Sequence, residues 1–185
     1  MKTANGLPLL MLAMFCAACS MVPEAPARAP ASMHGMLEAH NQVRAGLGLS
    51  PLSWSPQLAA YSQDWSGYLA STRGCRMIHR QEAGKDYRQY GENLFWASPE
   101  YWSDGRRSLQ QVTAAQVADD WAGEWQHYHY GSNSCRPGEQ CGHYTQMVWR
   151  STTQVGCGMS FCPNYGQVWV CSYDPPGNWI GERPY

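Results

Sequence analysis

Six cysteines in the body of the chain constrain its fold more than any other feature. Five of them lie in the last third of the sequence, and the full set is Cys75, Cys135, Cys141, Cys157, Cys162 and Cys171. In an exported chain, this number and density predict a framework of three disulfides, although the sequence leaves their pairing open. Zinc sites built on thiolates typically use Cys-x-x-Cys pairs, and this part of the sequence has none. We therefore predict disulfides here rather than a thiolate zinc site.

The first residues are typical of an export signal. Lys2 precedes an apolar run over residues 7–18, which is shorter than the ~20 residues that cross a bilayer and fits the core of a signal peptide. The run ends in Cys16-Ala17-Ala18-Cys19, which resembles a bacterial lipoprotein cleavage box with Cys16 in the place of the usual leucine. We predict a signal peptide over residues 1–19 and a membrane anchor on lipidated Cys19. Ordinary cleavage near residues 25–27 is the alternative.

The amino-acid composition changes along the sequence and divides it into a linker and a single domain. Residues 22–32 are rich in proline and alanine, which predicts an extended linker over residues 20–33 and one domain over residues 34–185. The chain is 44% hydrophobic and 15% charged, which favours a packed core over disorder. Its net charge of −1, without a basic stripe, argues against nucleic acid as a partner. We expect a monomer that is either a cell-envelope lipoprotein or a secreted, extracellular protein.

Local patterns predict helices first and strands last. Helices are indicated after Met36, after the Ser55-Pro56 cap and after Thr113, which opens a capping-box pattern with Gln116. Residues 145–151, 155–161 and 167–173 are short segments rich in β-branched and aromatic residues, and we predict them as strands. This order, without βαβ alternation, predicts an α+β fold with an antiparallel sheet.

The residues that are candidates for catalysis or metal binding are scattered along the chain rather than grouped in a local motif. They are His79, Glu92, Glu124 and His143. Glu124 shares an otherwise apolar helical face, so its carboxylate needs a partner. Glu92 lies between glycine and asparagine and is equally consistent with a turn. His127 and His129 would share one face of a strand, or would lie at a frayed helix end.

Several motifs, taken in chain order, resemble those of the CAP superfamily (cysteine-rich secretory protein, antigen 5, pathogenesis-related 1; SCP domain). They are His40-Asn41-x-x-Arg44, Leu52-x-Trp54, Gly91-Glu92-Asn93-Leu94, the run Cys-Gly-His-Tyr-Thr-Gln-Met-Val-Trp over 141–149, and Cys-Ser-Tyr-Asp-Pro-Pro-Gly-Asn over 171–178. The resemblance covers residues 34–185. The cysteine spacing is most similar to that of the plant pathogenesis-related 1 branch.

The resemblance implies a three-layer α-β-α sandwich with a central antiparallel sheet. It implies the disulfides Cys75–Cys162, Cys135–Cys141 and Cys157–Cys171. It also places the family's cleft tetrad on His79, Glu92, Glu124 and His143, with the two histidines as ligands of zinc or another divalent cation. We expect weak metal binding that is lost as pH falls through the usual histidine range, near ~6.5.

These implications lead to an exported cleft protein that binds a divalent cation and a lipid or glycan, with a role in defence or host interaction. The alternative is a metal-assisted hydrolase with Glu92 or Glu124 as general base, although the sequence has no His-Glu-x-x-His motif and no nucleophile elbow. The short segment between Cys135 and Cys141 argues against a sterol ligand.

Two loops are longer than those of compact relatives, and the C-terminal tail resembles a segment of plant relatives. The stretches 80–90 and 97–112 are longer than usual, and we expect aromatic residues of this region to rim the cleft: Phe95, Trp96, Tyr101 and Trp102. Residues 175–185 resemble a peptide that is released from plant relatives, and we interpret them first as the C-terminal wrap of the domain.

Overall fold

The computed structural model describes Met1, residues 27–80 and residues 89–185. The predicted signal peptide, lipidated Cys19 and the first part of the linker lie outside the described residues. Within the described part of the chain, every helix is too short or too polar to cross a membrane. The later part of the predicted linker packs on the domain, because Met33 is buried and Ala29 contacts the same core.

Four helices and eight strands follow one another in the described residues. The helices are α1 (Met36–Gly46), α2 (Pro56–Thr72), α3 (Ala114–Gly123) and α4 (Gly142–Met147). The strands are β1 (Ser53–Trp54), β2 (Gly91–Ala97), β3 (Glu100–Tyr101), β4 (Arg107–Ser108), β5 (Tyr128–His129), β6 (Ser134–Cys135), β7 (Gln154–Phe161) and β8 (Gln167–Asp174). A 3₁₀ turn, Glu124–His127, extends α3.

The helix starts that were predicted from capping residues are confirmed. The Ser55 hydroxyl accepts a hydrogen bond from the Leu58 amide, and Pro56 occupies the first turn of α2. Thr113 and Gln116 form a reciprocal capping box at the start of α3. Both signals act within four residues, so the sequence alone is enough to find them.

The central sheet has the order β1-β7-β8-β2. Its three long strands are antiparallel, as predicted, whereas the two-residue β1 pairs in parallel with β7. The predicted strand over residues 145–151 is wrong, because this stretch belongs to α4 and the turn after it. Glu92 is not in a turn, since β2 contains it.

The sheet separates two layers of helices, which gives the expected α-β-α sandwich. Helix α2 packs on one face of β7 and β8, while α1, α3 and α4 cover the other face. Gly156 and Gly158 of β7 let α2 approach the sheet closely, because a Cβ at Gly156 would lie 2.7 Å from the Leu58 carbonyl carbon. This arrangement places the start of β2 beside the start of α4, where the cleft lies.

Three disulfides tie the layers together, with the pairing that the resemblance implied. Cys75–Cys162 joins the end of α2 to the turn between β7 and β8, and Cys157–Cys171 bridges those two strands. Cys135–Cys141 closes a short loop just before α4.

The C-terminal residues pack against the domain. The Arg150 amide donates to the Pro184 carbonyl at 2.6 Å, and the Tyr185 ring stacks on Tyr130 at 5.0 Å between centroids. The Gly177 amide donates to the Gln146 side chain. These contacts agree with the interpretation of residues 175–185 as a wrap.

Candidate functional site

A cavity of about 540 Å³ lies where the beginning of β2 meets the beginning of α4. It is lined by His79, residues 90–93, Cys135, residues 139–143, Gln146 and Asn178. Three members of the predicted tetrad, His79, Glu92 and His143, therefore line one cavity although 64 residues separate the two histidines. The fourth member, Glu124, contacts the His143 ring.

The first carboxylate–imidazole pair joins β2 to the segment after α2. Glu92 Oε1 lies 2.7 Å from His79 Nδ1 and also accepts a hydrogen bond from the Arg80 amide at 3.1 Å. The Glu92 side chain is only 7% exposed, whereas that of His79 is 46% exposed. The buried carboxylate therefore acts as a fixed acceptor, and the imidazole lies at the edge of the cavity.

The second pair joins the end of α3 to the start of α4. Glu124 Oε1 lies 2.7 Å from His143 Nδ1, and Oε2 accepts from the amides of His143 and Tyr144. The His143 ring also stacks on Trp121, with the ring centroids 5.9 Å apart. Burial raises the pKa of the Glu124 carboxyl, but the hydrogen bonds from His143 and Tyr144 outweigh burial and lower that pKa overall.

The two pairs set the same tautomer on both histidines. An ionised carboxylate only accepts hydrogen bonds, so each imidazole donates from its Nδ1–H to its glutamate. Nε2 is then the nitrogen that carries the lone pair in each ring, and a lone pair is what a metal ion requires. Among the described residues, however, no group of three or more histidine, cysteine or acidic side chains is arranged to hold a metal. The donor set is thus two imidazoles.

A series of buried hydrogen bonds connects this site to the core. Asn93 Nδ2 donates to the His143 carbonyl and to the Tyr173 hydroxyl, both at 3.1 Å. The Tyr173 hydroxyl lies 2.8 Å from His40 Nε2, and His40 Nδ1 lies 2.7 Å from the Met36 carbonyl. Because a carbonyl can only accept, His40 donates from Nδ1, and its Nε2 accepts from Tyr173. Asn93 therefore holds α4 against β2, next to Glu92.

The buried His40 makes the stability of the fold sensitive to acid. Its side chain is fully buried, and burial lowers its pKa from 6.5 to about 4. The folded state then binds fewer protons than the unfolded state between these two values, so stability falls as pH decreases through this window. We expect His40 to account for a loss of about 3 kcal/mol by pH 4, at 1.4 kcal/mol per pKa unit.

Urea unfolding at pH 7 and pH 4.5 measures this effect. His40→Gln keeps a neutral side chain in place and should lose less stability than wild type over this interval, although it is less stable at pH 7. His34→Gln, which removes an exposed imidazole, is the control. An equal loss in wild type and His40→Gln would exclude His40 as the cause.

Several lining residues were not singled out from the sequence. Gln146 fills the space beside Gly91, where a Cβ would lie 2.7 Å from the Gln146 amide carbon. Asn93 and Asn178 also lie at the cavity. Gln146, Asn93 and Asn178 lie within the motifs at residues 91–94, 141–149 and 171–178, and this position was the one feature of the sequence that could have identified them as lining residues. In contrast, His127 and His129 are not among the lining residues.

The aromatic residues that were expected to rim the cleft lie elsewhere. Phe95, Trp96, Tyr101 and Trp102 do not line the cavity. Glu92 is near the start of β2 and Trp96 is near its end, which separates them by about 13 Å along an extended strand. The expectation followed from position in the sequence, and strand β2 carries these residues away from the site.

Comparison with known proteins agrees with the fold and the motifs. Residues 37–173 match the model of the family described as "CAP: Cysteine-rich secretory protein family". Pathogenesis-related protein 1C of Nicotiana tabacum is 42% identical over 154 residues, which cover 83% of this chain and 81% of that protein. Pathogenesis-related protein 1 of Arabidopsis thaliana is 37% identical over 160 residues, which cover 86% of each chain.

Solved structures show the same fold at lower identity. Venom allergen-like protein 4 of Schistosoma mansoni superposes with a TM-score of 0.62 at 23% identity, covering 84% of this chain and 94% of that one. The structure of NaASP2 with Zn²⁺ superposes with a TM-score of 0.58 at 23% identity, covering 83% and 84%. The family model spans most of the described domain and the two sequence relatives are 42% and 37% identical over more than four fifths of the chain, so this chain belongs to the CAP family of cysteine-rich secretory proteins.

Proposed function

We propose that the protein is an exported binding domain whose cleft holds a divalent cation between His79 and His143. The observation that carries the proposal is the pair of imidazoles lining one cavity, each with Nδ1 bonded to a glutamate at 2.7 Å. This arrangement orients both rings and places the imidazole proton on Nδ1, so that Nε2 carries the lone pair that a metal ion requires.

The donor set fits zinc or a similar ion bound weakly. Neutral imidazole nitrogen is a good ligand for zinc, and two protein ligands are fewer than the four of a structural site. When bound, the ion would supply Lewis acidity and open coordination positions for a ligand. NaASP2, which shares the fold, was solved with Zn²⁺, and this makes zinc the first ion to test.

The chemistry of the cavity favours a polar second ligand. Its lining includes the residues Asn93, Glu139, Gln140, Gln146 and Asn178, and no leucine, isoleucine, valine, methionine or phenylalanine is among the lining residues. The side chains of Asn93, Gln146 and Asn178 already form hydrogen bonds within the protein, whereas Glu139 and Gln140 are exposed. These two can bond sugar hydroxyls, and covering them with a lipid or sterol would cost free energy. Of the two ligand classes expected from the sequence, we therefore favour a glycan over a lipid.

The geometry supports binding more strongly than hydrolysis. A general base needs a carboxylate oxygen that can take a proton from water. Both oxygens of Glu124 already accept hydrogen bonds, from the His143 ring and from two amides. A metal-assisted hydrolase would therefore depend on Glu92, and this remains the alternative.

Export and a role in defence or host interaction complete the proposal. The family description includes the word secretory, and the relatives are pathogenesis-related proteins. Three disulfides favour an oxidising compartment outside the cytosol. Whether the chain is anchored through Cys19 or released is part of this proposal, and mass spectrometry of the mature N-terminus would distinguish the two.

Calorimetric titration with zinc tests the metal site. We expect wild type to bind zinc and His143→Ala to bind at least about 100-fold more weakly, because loss of a direct ligand exceeds the 10–100-fold cost of losing its outer-shell partner. His129→Ala changes an exposed histidine outside the cavity and should bind like wild type. Equal affinities of wild type and His143→Ala would refute the site.

A further inference from the structure

Exposed aromatic side chains gather at the end of the sheet that lies away from the cleft. Trp96 is the last but one residue of β2, Phe161 ends β7, and Tyr165 lies in the turn between β7 and β8. Their exposed fractions are 41%, 58% and 51%. The indole of Trp96 lies against this turn, because a Cβ at Gly166 would be 3.2 Å from the Trp96 Nε1. By strand register, Trp96 and Phe161 project from opposite faces of the sheet, so these rings surround the same end of it.

Two loops extend this surface. Cys75–Cys162 ties residues 73–76 to the same turn, and Arg73 and Arg76 are exposed there. The β3–β4 hairpin follows β2 directly and exposes Tyr101 and Trp102. We call the combined surface, formed by Trp96 and residues 73–76, 98–109 and 161–166, the aromatic end face.

The charge of the aromatic end face is opposite to that of the rest of the chain. Its loops contain four arginines, at positions 73, 76, 106 and 107, and two acidic residues, Glu100 and Asp104. The remainder of the chain has nine basic and twelve acidic residues. The Arg106 guanidinium lies 5.6 Å from the Trp102 ring centroid, and that of Arg107 lies 5.3 Å from the Tyr101 centroid. Arg106 also forms an ion pair with Asp104 at 2.6 Å. The net positive charge of the face therefore comes from Arg73 and Arg76, while Arg107 is exposed beside Tyr101.

The chain enters the domain at this same end. Gln167, at the start of β8, donates to the Gln110 carbonyl, and α3 begins four residues later. Gly35 packs on Ala115 in the first turn of α3. Gly35, just before α1, therefore lies on the side of the domain where α3 starts, near the end of the sheet that carries the aromatic end face.

From these observations we infer that the aromatic end face binds an anionic membrane surface. Tryptophan and tyrosine favour the boundary between headgroups and acyl chains, and arginine binds lipid phosphates. Phe161 has no polar atom that could bond a sugar, so it fits an acyl boundary better than an anionic polysaccharide. In this orientation the cleft, at the other end of the sheet, faces away from the membrane.

Sedimentation with vesicles tests the inference. The full chain, with Cys19→Ala in every sample to remove the acceptor of a lipid anchor, is mixed with vesicles of phosphatidylcholine alone or with added phosphatidylglycerol. We expect tighter binding to the anionic vesicles. Arg106→Gln/Arg107→Gln should weaken that binding roughly 30-fold, which corresponds to about 1 kcal/mol for each arginine near the surface.

Two further variants make the result specific. Tyr101→Ser/Trp102→Ser should also weaken binding, and both double variants should keep the wild-type melting temperature if the core is intact. Arg150→Gln/Trp125→Ser changes an exposed arginine and an exposed tryptophan elsewhere and should bind like wild type. Equal binding of wild type to both vesicles, or wild-type affinity in both hairpin variants, would overturn the inference. Retention on dextran sulfate without vesicle binding would also overturn it, in favour of a polysaccharide.

Discussion

Replacement of Arg44 by methionine is expected to lower the free energy of unfolding by about 4 kcal/mol or more. Arg44 is completely buried in α1. Its guanidinium donates to the backbone carbonyls of Ser50, Met147, Trp149 and Thr152, at distances from 2.8 to 3.1 Å. Methionine fills similar space without donors, so several carbonyls lose a partner at about 1–3 kcal/mol each.

Denaturant unfolding provides the measurement, with two further variants for comparison. Arg44→Lys retains the charge but cannot reach all four carbonyls, so it should recover only part of the loss. Arg150→Met changes an exposed side chain and should stay within about 0.5 kcal/mol of wild type. A loss below about 1 kcal/mol in Arg44→Met would show that the four bonds do not hold α1 to the segment after α4.

Removal of the Cys75–Cys162 disulfide is expected to have the other large effect. The two cysteines are 87 residues apart, so the bond restricts a long loop of the unfolded chain. The loop-entropy relation gives about 4–5 kcal/mol for this separation. Cys75→Ala/Cys162→Ala should therefore approach the total stability of a domain of this size, which is typically about 5–15 kcal/mol.

The short disulfide supplies a matched comparison. Cys135 and Cys141 are 6 residues apart, and the same relation gives about 2 kcal/mol for their removal. Unfolding of both double alanine variants should thus show about twice the loss for the long loop. A larger loss for Cys135→Ala/Cys141→Ala would mean that native contacts, rather than loop length, determine what these bonds contribute.

The sequence predicts those elements whose signals are local. The caps at Ser55 and Thr113 act within one turn, and both helix starts are correct. Strand β2 was missed because it begins with glycine, glutamate and asparagine, which are depleted in strands. It forms because Gly91 pairs with Tyr173 and each later residue continues that register along β8.

Helix α4 shows the opposite error. Apart from Gln146, residues 144–149 are β-branched, aromatic or apolar and so match a strand pattern. In the structure, Tyr144, Met147 and Val148 are buried at helical spacing against α3 and the core. Tertiary packing therefore outweighs local propensity over these few residues.

The candidate site depends on contacts that no local pattern specifies. The tetrad was placed by resemblance alone, because His79 and Glu92 come from different segments than Glu124 and His143. The Asn93 side chain bonds residues 50 and 80 positions away. The tautomers of His79 and His143 follow from their contacts with Glu92 and Glu124, so they could be assigned only after the fold was known.

Anomalous diffraction from crystals soaked in zinc tests the central claim most directly. The account predicts one zinc peak in the cleft, about 2.0–2.1 Å from Nε2 of both His79 and His143, as in other zinc–imidazole bonds. In Glu124→Gln the peak should weaken, because His143 loses the carboxylate that orients it. A cleft without zinc at saturating concentration, or a peak bonded to only one of the two histidines, would contradict the proposed site.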